Sequence, residues 1–223
     1  FLQTSASAAA LWIPASVNSY THQEIQDLYV DGSMQANVSK WELDTPSLCV
    51  DMDALEANIA TMQDTLTRND IASRPHGKTH KTPTIARMQL DAGAIGICAA
   101  KVSEAEAMFQ HGIDAVLMTT TNVTATKIRR AMNLRHANPQ FIQATDSEQN
   151  ARLLSEAAVS MGITADVVVD VDPGGHRTGI TPGQPALALG QLIDQLPGLT
   201  LRGLLCYDGG SQHGKGFAAR REQ

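Results

Sequence analysis

From Leu43 onward the sequence alternates short apolar runs with longer amphipathic ones, and this alternation constrains the fold more than any other feature. Strand-like runs occupy 47–52, 72–78, 94–100, 115–120, 140–145, 165–172 and 199–207. Helical spacing predicts helices over 53–68, 82–92, 103–111, 123–136, 147–161 and 183–196. In the first of these Asp53 is placed as N-cap, and Leu55, Ile59, Met62 and Leu66 share a face. Gly93, Gly112, Gly162 and Gly198 stand where helices should end. The strands lack polar alternation, as parallel strands covered on both faces do. A run of βα units has two solutions, a (β/α)8 barrel or an open doubly wound sheet. No Gly-rich dinucleotide fingerprint follows the first strand, which favours the barrel. About six barrel strands are counted where closure needs eight. The expected fold is therefore α/β, a (β/α)8 TIM-type barrel cut short, with two open strand edges.

Composition narrows the class. Apolar residues at 43% and charged residues at 18% allow a buried core. With 17 basic and 23 acidic side chains the net charge is −6, which argues against a nucleic-acid-binding surface. Cys49, Cys98 and Cys206 form no CxxC pair, so each reads as a small core residue on a strand rather than a zinc ligand. Residues 1–16 are small, apolar and uncharged, too short to span a bilayer. They read as the h-region of a secretory signal, or else as a disordered arm. The opening Phe1-Leu2 is similar to the tail of a twin-arginine motif, which would make the protein periplasmic; without it the expectation is cytoplasmic. Residues 17–40 read as a linker with a short helix over 22–29. The expected organisation is a signal-like segment and arm over 1–40 and an incomplete barrel over 41–223.

In either architecture chemistry belongs at the C-terminal ends of strands. The run 72–78 leads into Arg74-Pro75-His76-Gly77-Lys78-Thr79-His80-Lys81, two histidines and two lysines within eight residues. A lysine at a buried strand end can lose its proton, and a neutral amine condenses with an aldehyde. Alternation places Arg74 and His76 on the same side as Lys78, with Lys81 already off the strand. The same segment could be a solvated basic loop, or His76 and His80 a metal pair. A second strand end, Asp170-Val171-Asp172, opens into Pro173-Gly174-Gly175-His176-Arg177-Thr178-Gly179, where glycine freedom would let the loop approach a ligand and Arg177 grip an anion. At the third, Tyr207 of Cys206-Tyr207-Asp208 reads either as a ring against a ligand or as core.

Together these residues resemble the D-threonine aldolase / D-serine dehydratase family of alanine-racemase-like, fold type III enzymes. The resemblance rests on Thr45-Pro46, on Val50-Asp51-Met52-Asp53-Ala54-Leu55 with Asn58, on the run at 74–81, and on Gly96-Ile97-Cys98-Ala99-Ala100-Lys101-Val102 followed by Glu104-Ala105-Glu106. It covers residues 43–217. It implies pyridoxal 5′-phosphate as cofactor, Lys78 as its Schiff-base lysine and the catalytic residue, and Arg177, Tyr207, His76, Gln212 and His213 as cofactor-site residues. It also implies a C-terminal domain, a homodimer of the full-length protein, and a divalent metal (Mn, Mg or Zn) in that full-length protein. No metal ligand is assigned within these 223 residues.

The implied function is lysis of a D-amino acid, first of all aldol cleavage of a β-hydroxy-D-amino acid of the D-threonine or D-3-hydroxyaspartate type to glycine and an aldehyde. The alternatives are a D-serine dehydratase-type ammonia-lyase and a non-catalytic pyridoxal-phosphate carrier. A barrel fragment inactive by itself is a further reading. The expected partner is the small-molecule substrate, with neither nucleic acid nor membrane.

Overall fold

The computed structural model describes residues 19–31 and 33–222. The signal-like reading of 1–16 lies outside them. Two compact units divide the chain, the first ending at Glu56 and the second beginning at Ala57.

In the first unit Thr21 opens helix α1 (His22–Asp27), which answers the short helix expected over 22–29. Thr21 Oγ1 accepts from Glu24 N at 3.3 Å, and Glu24 returns a carboxylate oxygen to Thr21 N at 2.8 Å, a complete capping box. A two-residue antiparallel ribbon follows, β1 (Tyr29–Val30) with β2 (Ser33–Met34). Residues 47–51, expected as a strand, carry no strand pairing and are exposed. The chain enters helix α2 (Met52–Arg68) directly, and Asp51 rather than Asp53 caps it, accepting from Ala54 N at 3.0 Å. Asp51 is the better placed of the two, because a cap must stand three residues before the amide it satisfies. Met62 is exposed, so the apolar stripe of α2 runs only through Leu55, Ile59 and Leu66.

The second unit holds helix α3 (Pro83–Asp91) and then alternates β3 (Ile97–Ala99), α4 (Val102–Gln110), β4 (Val116–Met118), α5 (Ala125–Ala137), β5 (Ile142–Thr145), α6 (Glu148–Ser160), β6 (Ala165–Val171), α7 (Gln184–Gln195) and β7 (Leu199–Cys206). Short α8 (Phe217–Arg221) follows a 3-10 turn over Ser211–His213. All five strands are parallel and stand in the order β3-β4-β5-β6-β7. A doubly wound sheet needs a point where the strand order reverses; none occurs here, so the winding is that of a barrel.

A sixth extended segment lies along β3. Cys98 N donates to Pro75 O at 2.7 Å and Gly77 N to Cys98 O at 2.8 Å, but the pairing amounts to one bridge, His76 with Cys98. The strand expected over 72–78 is no longer than this because Pro75 has no N–H to give and the chain turns at Gly77. Gly93, Gly112, Gly162 and Gly198 all have positive φ, as helix-ending glycines do.

Strand β6 is buried throughout, and its faces have different work. Ala165, Val167, Val169 and Val171 pack into the core with Phe141, Leu154, Leu189 and Ile193, each large apolar side chain contributing roughly 1.5–3 kcal/mol by leaving water. Asp166, Val168 and Asp170 face the other way. Asp166 is held between Arg135 at 3.2 Å and Arg202 at 3.0 Å. Edge strand β7 instead alternates half-buried and exposed residues. That explains the cysteines. Cys98 in β3 is buried as expected, whereas Cys206 on the edge strand and Cys49 on the unpaired segment are exposed.

Candidate active site

The C-terminal ends of the strands enclose a cavity of about 420 Å³. Arg74, His76 and Lys78 all line it, Lys78 from the turn that follows the extended segment. Cys98 and Ala100 join from β3, Thr119 and Thr120 from the end of β4, Asp170 from β6, and Leu205 to Tyr207 from β7. The loop after β6 adds Arg177 and Thr178. The volume is within the range of small-molecule sites.

Lys78 is exposed, in the turn after the His76 bridge, and not at the buried strand end expected of it. Its Nζ stands 5.6 Å from the centre of the Tyr207 ring. The Arg177 guanidinium stands 4.9 Å from the same centre. Both lie within cation–π range, so one aromatic ring gathers the two cations that the sequence separates by 99 positions. Gln212 Nε2 donates to the Tyr207 hydroxyl at 2.7 Å. His213 shares the 3-10 turn of Gln212 but is not among the residues lining the cavity. Arg74 reaches deeper, giving Nη1 to the carbonyl of Ala115 at 3.1 Å.

His76 Nδ1 accepts the backbone N–H of Lys78 at 3.2 Å, and its Nε2 lies 3.1 Å from Thr119 Oγ1. Burial and then the charge of Lys78 lower its pKa. His80 repeats the local geometry, its Nδ1 accepting Thr82 N at 3.0 Å, and burial lowers its pKa as well. Its other nitrogen, Nε2, is buried without a hydrogen-bond partner. Each ring thus accepts a backbone N–H close to Lys78 through Nδ1. Among the described residues no cluster of three or more His, Cys, Asp or Glu side chains is arranged to hold a metal ion.

The Arg177 loop is organised by Asp172, which accepts from Gly174 N at 2.9 Å, His176 N at 3.0 Å and His176 Nδ1 at 3.1 Å. Those backbone bonds hold its carboxyl below the usual carboxylate range. Two further bonds close the loop onto β6, Asp172 N to Ile180 O and Ile180 N to Asp170 O, both 2.9 Å. Gly174 and Gly175, expected to let the loop approach a ligand, have open space around them; the essential glycine is Gly179. At φ +99° its missing Cβ would stand 2.5 Å from Asp172 N.

Asp170, Thr119 and Cys98 are cavity residues that the sequence reading did not single out. Asp170 is 4% exposed, and burial raises its pKa against a hydrogen bond from Thr178 and the charge of Arg177. An acidic residue closing an otherwise apolar strand was the available signal. Thr119 carried none. Burial pushes the Cys98 thiol up to about 11, so it is no nucleophile at neutral pH.

A parallel-strand barrel winding with a lysine, an arginine and a tyrosine at its C-terminal mouth defines the class. Residues 50–222 match the alanine racemase N-terminal domain, and the chain belongs to that family. It is 39% identical over 171 residues to a D-threonine aldolase of an Arthrobacter species, covering 77% of this chain and 45% of the relative. It is 35% identical over 181 residues to 3-hydroxy-D-aspartate aldolase of Paracoccus denitrificans, covering 81% and 47%. The crystal structure of D-threonine aldolase from Filomicrobium marinum superposes with a TM-score of 0.78 at 40% identity, covering 81% of this chain and 49% of that one. The chain spans about half the length of the relatives it matches. Among the described residues no helix is long and apolar enough to cross a membrane.

Proposed function

We propose that the full-length protein is a pyridoxal-phosphate-dependent lyase that cleaves a β-hydroxy-D-amino acid of the D-threonine or D-3-hydroxyaspartate type to glycine and an aldehyde. The observation that carries this is the meeting of the Lys78 amine and the Arg177 guanidinium over the Tyr207 ring. The donor set fits the cofactor: one primary amine to hold an aldehyde, an aromatic face, and cations for its anionic oxygens. When bound, the cofactor supplies an electron sink for the bond that breaks at Cα. The aldolases among the relatives support cleavage of Cα–Cβ over loss of water.

Each side chain has a definite task in this reading. Lys78 would hold the cofactor through its primary amine. The Tyr207 ring would offer the cofactor an aromatic face, and Gln212 fixes where the tyrosine hydroxyl points. Arg177 holds an anionic oxygen with a planar pair of donors. Asp170 and Thr178 border Arg177 and keep the wall polar. His76 stays neutral beside Lys78 and so does not add a further cation there. A divalent ion and a homodimeric state belong to the same proposal for the full-length protein, as does a periplasmic location if residues 1–16 belong to a twin-arginine-type signal and a cytoplasmic one otherwise.

Full-length protein loaded with pyridoxal 5′-phosphate should release aldehyde and glycine from D-threonine, and borohydride reduction should leave the cofactor mass on the Lys78 peptide. Lys78→Ala should lose both. Label on another lysine, or aldehyde release persisting in Lys78→Ala, would refute the assignment. Release of ammonia and a keto acid in place of the aldehyde would establish the dehydratase instead.

A further inference from the structure

Thr119 lines the cavity, yet neither the cofactor reading nor the fold gives it a task. Its backbone N–H already makes the strand-end bond, donating to Ala99 O at 2.9 Å, so its hydroxyl is not needed there. The hydroxyl nevertheless lies 3.2 Å from the same carbonyl and 3.1 Å from His76 Nε2. The protons in this chain can be arranged in one way. The Lys78 amide donates to His76 Nδ1, so that nitrogen carries a lone pair and the neutral ring bears its hydrogen on Nε2. Nε2–H therefore donates to Thr119 Oγ1, whose own hydrogen goes to Ala99 O. The backbone amide of Lys78 is thus tied through one ring and one hydroxyl to the ends of β3 and β4. His80 makes the same contact with Thr82 N, but its far nitrogen has no hydrogen-bond partner, so that ring relays nothing onward.

We propose that Thr119 is a positioning residue: through His76 it fixes the turn that presents Lys78 to the cavity. The proposal rests on Lys78 being the cofactor lysine only for its effect on labelling, since the relay itself is a property of the turn. Protonating His76 would place a hydrogen on Nδ1 facing the Lys78 N–H and break the first link. The charged and titratable groups around that ring are Lys78 in its own segment, Glu104 of α4, the Cys98 thiol of β3, and Arg74, Asp170 and Arg177 on the cavity wall. Burial and then Lys78 oppose that proton, while Glu104 and the Cys98 backbone favour it.

The test uses the full-length protein, pyridoxal 5′-phosphate and borohydride, with labelling of Lys78 followed by peptide mass between pH 5 and 8. Thr119→Val, which keeps the shape and removes the hydroxyl, should slow labelling about tenfold, the weight of one buried hydrogen bond. It should also remove the acid-side fall in labelling that His76 imposes on the parent. Thr119→Ser should return both the rate and the pH profile. Equal rates and profiles in the parent and Thr119→Val would overturn the proposal. The second readout is the ¹⁵N shifts of the His76 ring at neutral pH. The parent should be wholly in the Nε2–H form and Thr119→Val a mixture; an Nδ1–H ring in the parent would overturn the relay even if Thr119→Val fails to fold. If the parent never labels at Lys78, the cofactor reading fails while the ring shifts still decide the relay.

Discussion

The two loops that bring Lys78 and Arg177 to one aromatic ring are held by opposite means. The Lys78 turn is fixed from outside: His76 ties it to Thr119, and Gly77 packs on Met108 and Ile97. The Arg177 loop is fixed from within, by one carboxylate that gathers the amides of Gly174 and His176 and by two backbone bonds to its own strand. One depends on uncharged rings and neighbouring elements, the other on a charge and its own backbone. Disturbance of the sheet should therefore reach Lys78 first, and disturbance of a single backbone position should reach Arg177 first.

Gly179→Ala tests the second half of that statement and should have the largest effect. The new Cβ would meet the Asp172 amide nitrogen at 2.5 Å and the Val171 carbonyl carbon at 2.6 Å, both backbone atoms with nowhere to go, at a φ of +99°. Strain of that kind costs roughly 1–3 kcal/mol before the clash is counted. The expected outcome is a melting temperature lowered by several degrees and weakened binding of pyridoxal 5′-phosphate, with amide exchange in the 74–82 peptide unchanged. Equal loosening of both loops would show that they are mechanically one.

Acid should separate the two loops by a smaller margin and in a definite order. His76 and His80 both have pKa values lowered from 6.5 by burial, so the folded chain keeps them neutral while an unfolded chain takes up protons. Their support is whole above pH 6.5 and declines as pH falls toward the lowered values. Asp172 lies below its ordinary 3.8, so its support persists until pH falls below that value. Between pH 7 and 5, hydrogen exchange corrected for intrinsic rate should quicken in the 74–82 peptide and stay constant in the 172–180 peptide. Quickening in 172–180 alone would reverse the assignment of the two mechanisms.

The difference between the loops also separates what the sequence discloses from what it does not. The βα alternation is legible because strands such as β6 are covered on both faces and must be apolar throughout. The shared facing of Arg74 and His76 is legible because a strand-like segment has a period of two, whereas Lys78 joins them from a turn. Lys78 itself stood out by the density of charged and imidazole groups around it. Thr119 and Asp170 did not stand out, because each acquires its role from a side chain 43 positions away in one case and from a loop fold in the other. The glycine loop misled for a related reason: Gly174 and Gly175 advertise freedom, while the residue with no steric alternative is Gly179, and only the closed loop reveals it. Residues 47–51 have a strand's composition but no partner strand in the described residues, and pairing, unlike helix formation, cannot be read from one segment.

The smallest effect is expected at Gly77. A Cβ there would come 3.0 Å from Met108 Cε and 3.2 Å from Ile97 Cγ2, side-chain atoms in both cases. Overpacking of this kind costs roughly 1–3 kcal/mol, offset by roughly 0.4–1 kcal/mol because alanine restricts the unfolded chain. Gly77→Ala should therefore lower the melting temperature slightly and slow Lys78 labelling, with the Arg177 loop untouched. Because the obstacle is the tip of a flexible thioether side chain, Met108→Leu in the same chain should restore both. No substitution can restore Gly179→Ala in this way, since its obstacle is backbone. Failure of Met108→Leu to rescue Gly77→Ala would mean that the Lys78 turn, too, is held by its own backbone, and the contrast between the loops would fall with it.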